Sequence, residues 1–307
     1  MGFNTSPITS NYAGEHAGQY IAAALNSAKS LEFLTVLESV KYKRNITKVS
    51  NSGMIVDATC DFADAGTLTL AERVLEPKAL QINVDLCKKD LLSDFQSAQM
   101  AAGAHNRDMS ADFSAFVISH LSDTIADYVE TNIWRGNGGT NEFTGFMHPT
   151  DGTISGDATV VEVDNSGGAA NAFDNTNIDE NLGLISSNIP SAVWHKEDLY
   201  IYMSTASYRL YIENQAAAGF QNLYSMNDQF TPMFNGIKLA ACPGMVDNKM
   251  LAGQKSNLFF GTDLISDTTE IRLLDMSTLD GSDNIRVVAK FTGGCQHAQG
   301  GDIVRID

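Results

Sequence analysis

No stretch of this 307-residue chain approaches the roughly 18 consecutive apolar residues that a membrane-crossing helix needs. The opening residues, MGFNTSPITSNYAGEH, lack a basic region followed by an apolar run, so no secretory signal is expected. Cysteine is scarce. Cys60, Cys87, Cys242 and Cys295 form no CxxC pair, and none stands at zinc spacing from a histidine. Free, largely buried thiols are expected rather than a disulfide framework. Positive charge is also in short supply: 20 Lys and Arg stand against 37 Asp and Glu, a formal net charge of −17. Phosphate backbones are bound by clustered Lys and Arg that release counterions, so sequence-specific nucleic-acid binding is not expected. The deficit is uneven. Residues 1–50 hold five basic residues (Lys29, Lys41, Lys43, Arg44, Lys48) and three acidic ones (Glu15, Glu32, Glu38), and the remainder is more acidic still.

Catalytic motifs are missing as well. His16, His105, His120, His148, His195 and His297 make no HExxH or HxH pair, and there is no GxSxG elbow. The run Asp174, Asn175, Asn177, Asp179, Glu180 lacks the glycine and terminal glutamate of a calcium loop and reads as a solvated acidic loop. The glycine-rich stretch TNIWRGNGGTNEFTGFM follows an apolar-periodic segment, whereas a phosphate cradle precedes a helix and uses its free N–H groups. It reads as a helix stop, with Gly136 at the C′ position. No catalytic, cofactor-binding or metal-ligating residue is assigned, and an enzyme is not expected.

Several elements are present. GEHAGQYIAAALNSAKSLEFLTVL has apolar residues Tyr20, Ile21, Ala24, Leu25 and Ala28 at helical spacing. MIVDATCDF and TLTLAERVL each alternate, with ADAG between them, and read as a β-hairpin over roughly residues 50–76. Asp57, Asp61, Asp64 and Glu72 charge this hairpin, and its apolar side is thin, so it needs another surface to lean on. QINVDLC resumes alternation through Ile82, Val84 and Leu86. SADFSAFVISHLSDTIADYVETNIWRG predicts a helix of about 25 residues, capped by Ser110, with a stripe from Phe113, Phe116, Val117 and Leu121 to Ile125, Tyr128, Val129 and Ile133. Beyond a Gly/Asn/Asp-rich stretch come helices at IDENLGLISSNIP and TASYRLYIENQAAAG, a strand at DLYIYMS and mostly β structure to the end. The pattern fits α+β better than a doubly wound sheet.

This order of elements resembles the major capsid protein of tailed double-stranded DNA phages, the Hong Kong 97-type fold. KVSNSGMIVDATCDFADAGTLTLAERVLEPKALQ is similar to its extended loop, Ser110 to Arg135 to its spine helix, and IWRGNGGTNEFTGFM to its post-spine turn. LYIYMSTASYRLY, FNGIKLAACPGM and NLFFGTDLISDTTEIRLLD resemble its axial domain, and NIRVVAKFTGGCQHAQGGDIVRI its closing strands.

The resemblance implies an N-terminal arm (1–45), an extended loop (46–82), a peripheral domain with the spine helix (83–147 and 285–307) and an axial domain (148–284). It implies a subunit that self-assembles as hexamers and pentamers into an icosahedral head around a phage genome. The implied partners are further copies, a portal, a separate scaffold or cement protein, and packaged DNA held without sequence recognition; no membrane and no cofactor are implied. The chain would reside in the virion, and in the host cytoplasm during assembly. Lys41, Lys43, Arg44, Asp57, Asp61, Asp64 and Glu72 are the candidate intersubunit contacts. Some members form a Lys–Asn isopeptide crosslink; Lys78 lies in the corresponding loop, but no acceptor is identified. An encapsulin-like compartment shell and an enzyme with an unrecognised site are the alternatives.

Overall fold

The apolar stripe of the long helix sets the axis of the body. A computed structural model describes residues 28–58, 60, 66–87, 111–166, 172–220, 232–263, 271–276 and 281–306. Residues 14–27 of the expected N-terminal helix, the Ser110 cap, Asp61 and Asp64 lie outside these residues, as do the side chains of Phe113 and Phe116; residues 28–37 of that expected helix form a 3₁₀ turn and a strand instead. The spine helix runs Ala111–Arg135. Ile125, Val129 and Ile133 are buried, and Tyr128 packs edge-on to Phe291. Nearer the N-terminus, Val117 and Leu121 are only partly buried and pack on Leu86, Ile285 and Val287.

The strands are β1 (Thr35–Leu37), β2 (Arg44–Ser52), β3 (Thr67–Leu75), β4 (Lys78–Cys87), β5 (Val161–Val163), β6 (Leu199–Met203), β7 (Met233–Phe234), β8 (Ile237–Ala241), β9 (Met250–Gln254), β10 (Leu258–Gly261), β11 (Ile271–Asp275), β12 (Asn284–His297) and β13 (Val304–Ile306). β12 organises the sheet under the spine helix. Its first ten residues pair antiparallel with β4, residues 285–289 also pair with β11, and residues 294–297 pair with β10. Ile285, Val287, Ala289 and Phe291 alternate inward, as a period of two requires when one face is covered.

The second sheet has the order β5-β13-β9-β6-β8-β7. Both of its faces are covered, so its strands read as apolar runs. Tyr202, Ala240 and Leu251 join the core around Trp134 at the end of the spine helix. Ile201, Met203, Leu239, Met250 and Val304 pack with residues of helices Ile178–Ser187 and Thr205–Gln215. Ile178, Leu182, Ile185 and Ile189 are buried, as their spacing predicts. Ser204 caps the Thr205–Gln215 helix by accepting from the Ser207 amide. The acidic run before Ile178 is a turn in which the Asp174 carboxylate accepts from the Thr176 and Asn177 amides.

Three features differ from the sequence reading. The chain from Lys29 is already part of the body, because Lys29–Phe33 forms a 3₁₀ turn, Leu34 is buried and β1 pairs parallel with β10. The last strand, β13, leaves the spine-helix side and joins the second sheet through β9 and β5. Gly136 is not a left-handed C′ glycine. The returning chain caps the helix instead: the Phe146 and Met147 amides donate to the carbonyls of Ile133 and Trp134 at 2.8 and 2.9 Å. Gly136 is needed for space, since a Cβ there would lie 2.1 Å from the Phe143 carbonyl oxygen.

Candidate intersubunit surface

β2 and β3 form a two-stranded ribbon that joins neither main sheet. Its strands are not both where alternation places them. MIVDATCDF does not pair with β3; the polar segment Arg44–Ser52 does, with Arg44 opposite Leu75 and Ser52 opposite Thr67. Gly53 and Gly66, at φ of 66° and 78°, turn the chain away just beyond the last pair. Met54, Ile55 and Val56 therefore sit past the ladder in the connecting loop, and Ile55 is 96% exposed.

Register sorts the ribbon into two faces. Directly paired residues share a face, so Asn45, Thr47, Val49 and Asn51 lie with Val74, Glu72, Leu70 and Leu68. Val49, Leu68, Leu70 and Val74 are all exposed on this face. The opposite face carries Ile46, Arg73 and Leu75, of which Ile46 and Leu75 are buried. Eight of the ten large apolar residues exposed among the described residues lie between Tyr42 and Val74. Single exposed apolar side chains are ordinary, but a run of them on one ribbon marks a surface that something else covers.

The base of the ribbon is fixed at several points. Leu75 packs against Gly261, where a Cβ would come within 2.7 Å of its side chain. The Val74 carbonyl accepts from Gln296 Nε2 at 3.1 Å. Lys78, the first residue of β4, donates to the carbonyls of Gly138, Gly139 and Glu142. The glycine-rich turn thus presents carbonyls to an ammonium group, the opposite polarity from a phosphate cradle, and Lys78 is engaged within its own chain.

Arg73 donates to Asp157 Oδ2. His297 Nε2, at the end of β12, lies 2.9 Å from the same oxygen. Asp157 Oδ1 accepts from the Thr159 amide and hydroxyl at 2.9 and 2.8 Å. Burial pushes the Asp157 carboxyl upward, but the Thr159 amide, His297, the Thr159 hydroxyl and the Arg73 charge together hold it well below the usual carboxylate range. Burial lowers His297 below an ordinary imidazole, against the raising effect of its bond to Asp157; Arg73 and Lys48 lower it further. Sequence reading missed this cluster, because its members are 84 and 140 residues apart.

The candidate contact residues are scattered around the ribbon. Lys41, Arg44 and Asp57 are exposed. Lys43 is exposed but already paired with Glu76 of its own chain at 2.9 Å. Glu72 is exposed and accepts from Asn45 Nδ2 at 2.7 Å. Cys60 is an exposed thiol, Cys87 is half-buried, and Cys242 and Cys295 are buried with their thiols pushed up by burial. Among the described residues no group of three or more His, Cys, Asp or Glu side chains is placed to hold a metal ion.

No family model matches the chain, and no curated protein matches its sequence. Its structure matches solved capsids over nearly the whole length. The capsid of a native GTA particle aligns with a TM-score of 0.62 at 13% identity, covering 99% of each chain. The capsid of Myoviridae phage XM1 aligns with a TM-score of 0.60 at 11% identity over 94% of each chain. The capsid of cyanophage A-1(L) gives a TM-score of 0.60 at 11% identity, over 99% of this chain and 97% of that one. The chain has the Hong Kong 97-type capsid fold.

Proposed function

We propose that the chain is a major capsid protein, the repeating subunit of a shell that encloses a phage genome. The observation that carries this reading is the uncovered apolar face of the extended loop, on a chain whose whole length matches capsid subunits. Burying Val49, Leu68, Leu70 and Val74 against a second copy contributes about 1.5–3 kcal/mol per fully covered side chain. That is enough to drive association when repeated around a ring of subunits. Asp57 and Glu72 of the loop, with Lys41 and Arg44 at its root, flank that contact and bias which copies pair. Exposed ion pairs of this kind contribute about 0–1 kcal/mol each, so they select geometry more than they supply affinity.

In this reading the subunits form hexamers and pentamers of an icosahedral head in the virion, assembled in the host cytoplasm with a portal and with a scaffold or cement protein. DNA is enclosed without sequence recognition, and a net-negative subunit limits its adhesion to the wall. Residues 46–82 act as the extended loop, residues 148–284 with the final strand as the axial domain, and the rest of the body as the peripheral domain. The matched structures are capsids of a GTA particle and of phages, which favours this reading over a compartment shell loaded with enzymes. Electron microscopy of the purified chain tests it. Closed, uniform shells or capsomer rings are expected; a homogeneous monomer or dimer at all concentrations overturns it.

A further inference from the structure

Of the links at the base of the extended loop, the Arg73 link differs from the rest. Leu75 is held by shape, and the Val74 carbonyl by a neutral amide. Arg73 instead meets an anion that the body has oriented in advance. The Thr159 amide and hydroxyl fix one oxygen of Asp157, and His297 Nε2 lies against the other. Gly300 leaves the space, since a Cβ there would fall 2.2 Å from Asp157 Oδ2 and 2.3 Å from Thr159 Oγ1. Asp157 and His297 side chains are 10% and 0% exposed, so water competes little for the contact.

We propose that Asp157 is a positioning residue that sets the direction of the extended loop, acting through Arg73, with His297, Thr159 and Gly300 holding its carboxylate in place. This rests on the capsid reading only for its consequence in assembly; the direction of the loop is a property of the single subunit. The lever is long. Six residues separate Arg73 from Thr67 at the far end of the ladder, roughly 20 Å at 3.3 Å per residue. A rotation of about 10° at Arg73 then moves Thr67 by about 3 Å, before the residue 53–66 connection extends it. A docking face carried that far off line no longer meets its counterpart, although every residue of the face is unchanged.

The test is a distance between two spin labels on the dilute full-length chain. One label is placed by Thr67→Cys at the end of the ladder and the other by His195→Cys, both exposed positions. Cys60 and Cys87 are replaced by serine, and the buried Cys242 and Cys295 take no label. The parent should give one narrow distribution. Asp157→Asn and Arg73→Gln should shift or broaden it by about 3 Å or more, the displacement the lever predicts. Gly300→Ala should do the same with every charge retained. Arg73→Lys, which keeps a cation in reach, should restore the narrow distribution. Circular dichroism confirms folding, and Arg73→Gln, at a partly exposed position on the ribbon, keeps the test open if Asp157→Asn does not fold. Parent-like distributions in Arg73→Gln and Gly300→Ala overturn the inference, as does Arg73→Lys behaving like Arg73→Gln. Shells are scored separately: a parent chain that forms none counts against the capsid reading and leaves the distance result standing.

Discussion

Glu130 of the spine helix accepts from both the amide and the hydroxyl of Ser30, 100 residues earlier, at 2.9 and 2.5 Å. It also accepts from the Gly244 amide at 3.1 Å, and Trp134 Nε1 donates to the Ser30 hydroxyl at 2.8 Å. One buried carboxylate thereby ties the start of the described chain and the turn after β8 to the same helix. Glu130→Ala leaves two buried amides without their acceptor. It should destabilise the subunit by about 3 kcal/mol or more, and Ser30→Ala by about 1–3 kcal/mol. Urea unfolding followed by Trp134 emission in a Trp194→Phe background measures both. Equal, sub-kilocalorie effects would show that water replaces these bonds at no cost.

The spine helix offers a graded core test. Ile133 is fully buried, whereas Leu121 is only partly covered by Leu86, Ile285 and Val287. Ile133→Ala should cost about 2–5 kcal/mol. Leu121→Ala should cost less, about 1–2 kcal/mol, because part of its surface is already in water. Chemical denaturation of the two variants in parallel should preserve that order; the reverse order would mean the N-terminal half of the helix is covered by more than these three residues.

The extended loop separates folding from association. Leu68 and Leu70 are 57% and 66% exposed in the single chain. A Leu68→Ser, Leu70→Ser double variant should therefore unfold within about 0.5 kcal/mol of the parent. The same variant should fail to build shells. Matching melting curves with matching electron micrographs would remove this face from the contact.

Acid should weaken the subunit in two steps. His297 is held below its unfolded-state pKa of about 6.5, so its contribution is present above that pH and lost as pH falls toward the folded value. Asp157 is also lowered, so its contribution is present above about pH 4 and lost below it. Both terms have the same sign, and Arg73 and Lys48 are the cations facing the imidazole. Unfolding free energies at pH 8, 5.5 and 3 should fall at each step. His297→Gln should flatten the interval from pH 8 to 5.5, whatever its absolute stability; an unchanged slope would assign that proton uptake to another group.

Local pattern carried much of the fold. The stripe from Val117 to Ile133 and the alternation from Ile285 to Phe291 each repeat over several turns or pleats, and the structure packs them on each other. The ribbon was half legible. Thr67–Leu75 is a strand, but its partner RNITKVSNS is too polar to stand out, while the alternating MIVDATCDF lies beyond two positive-φ glycines. Alternation signals a strand only where one face is covered by the same chain, and this loop projects from its own core. The Arg73, Asp157 and His297 cluster had no local signature, because three separate elements bring it together. Gly136 was located correctly as the end of the helix, but its role is clearance from Phe143 rather than a left-handed turn.

The pairing of β4 along β12 also bears on how the subunit carries force. A pull on the extended loop passes through Glu76 and Pro77 into Lys78, the first residue of β4. β4 is then joined to β12 by ten consecutive residue pairs, from Lys78 opposite Gly293 to Cys87 opposite Asn284. Drawn lengthwise, such a ladder is loaded in shear, so all ten pairs resist together instead of opening in sequence like a zip. β12 is held in turn by β11 along residues 285–289 and by β10 along residues 294–297, and its C-terminal end, the end beside Lys78, leads by a short 3₁₀ turn into β13 of the second sheet. Load entering at the ribbon is thereby shared between both sheets of the subunit through continuous backbone and its ladders.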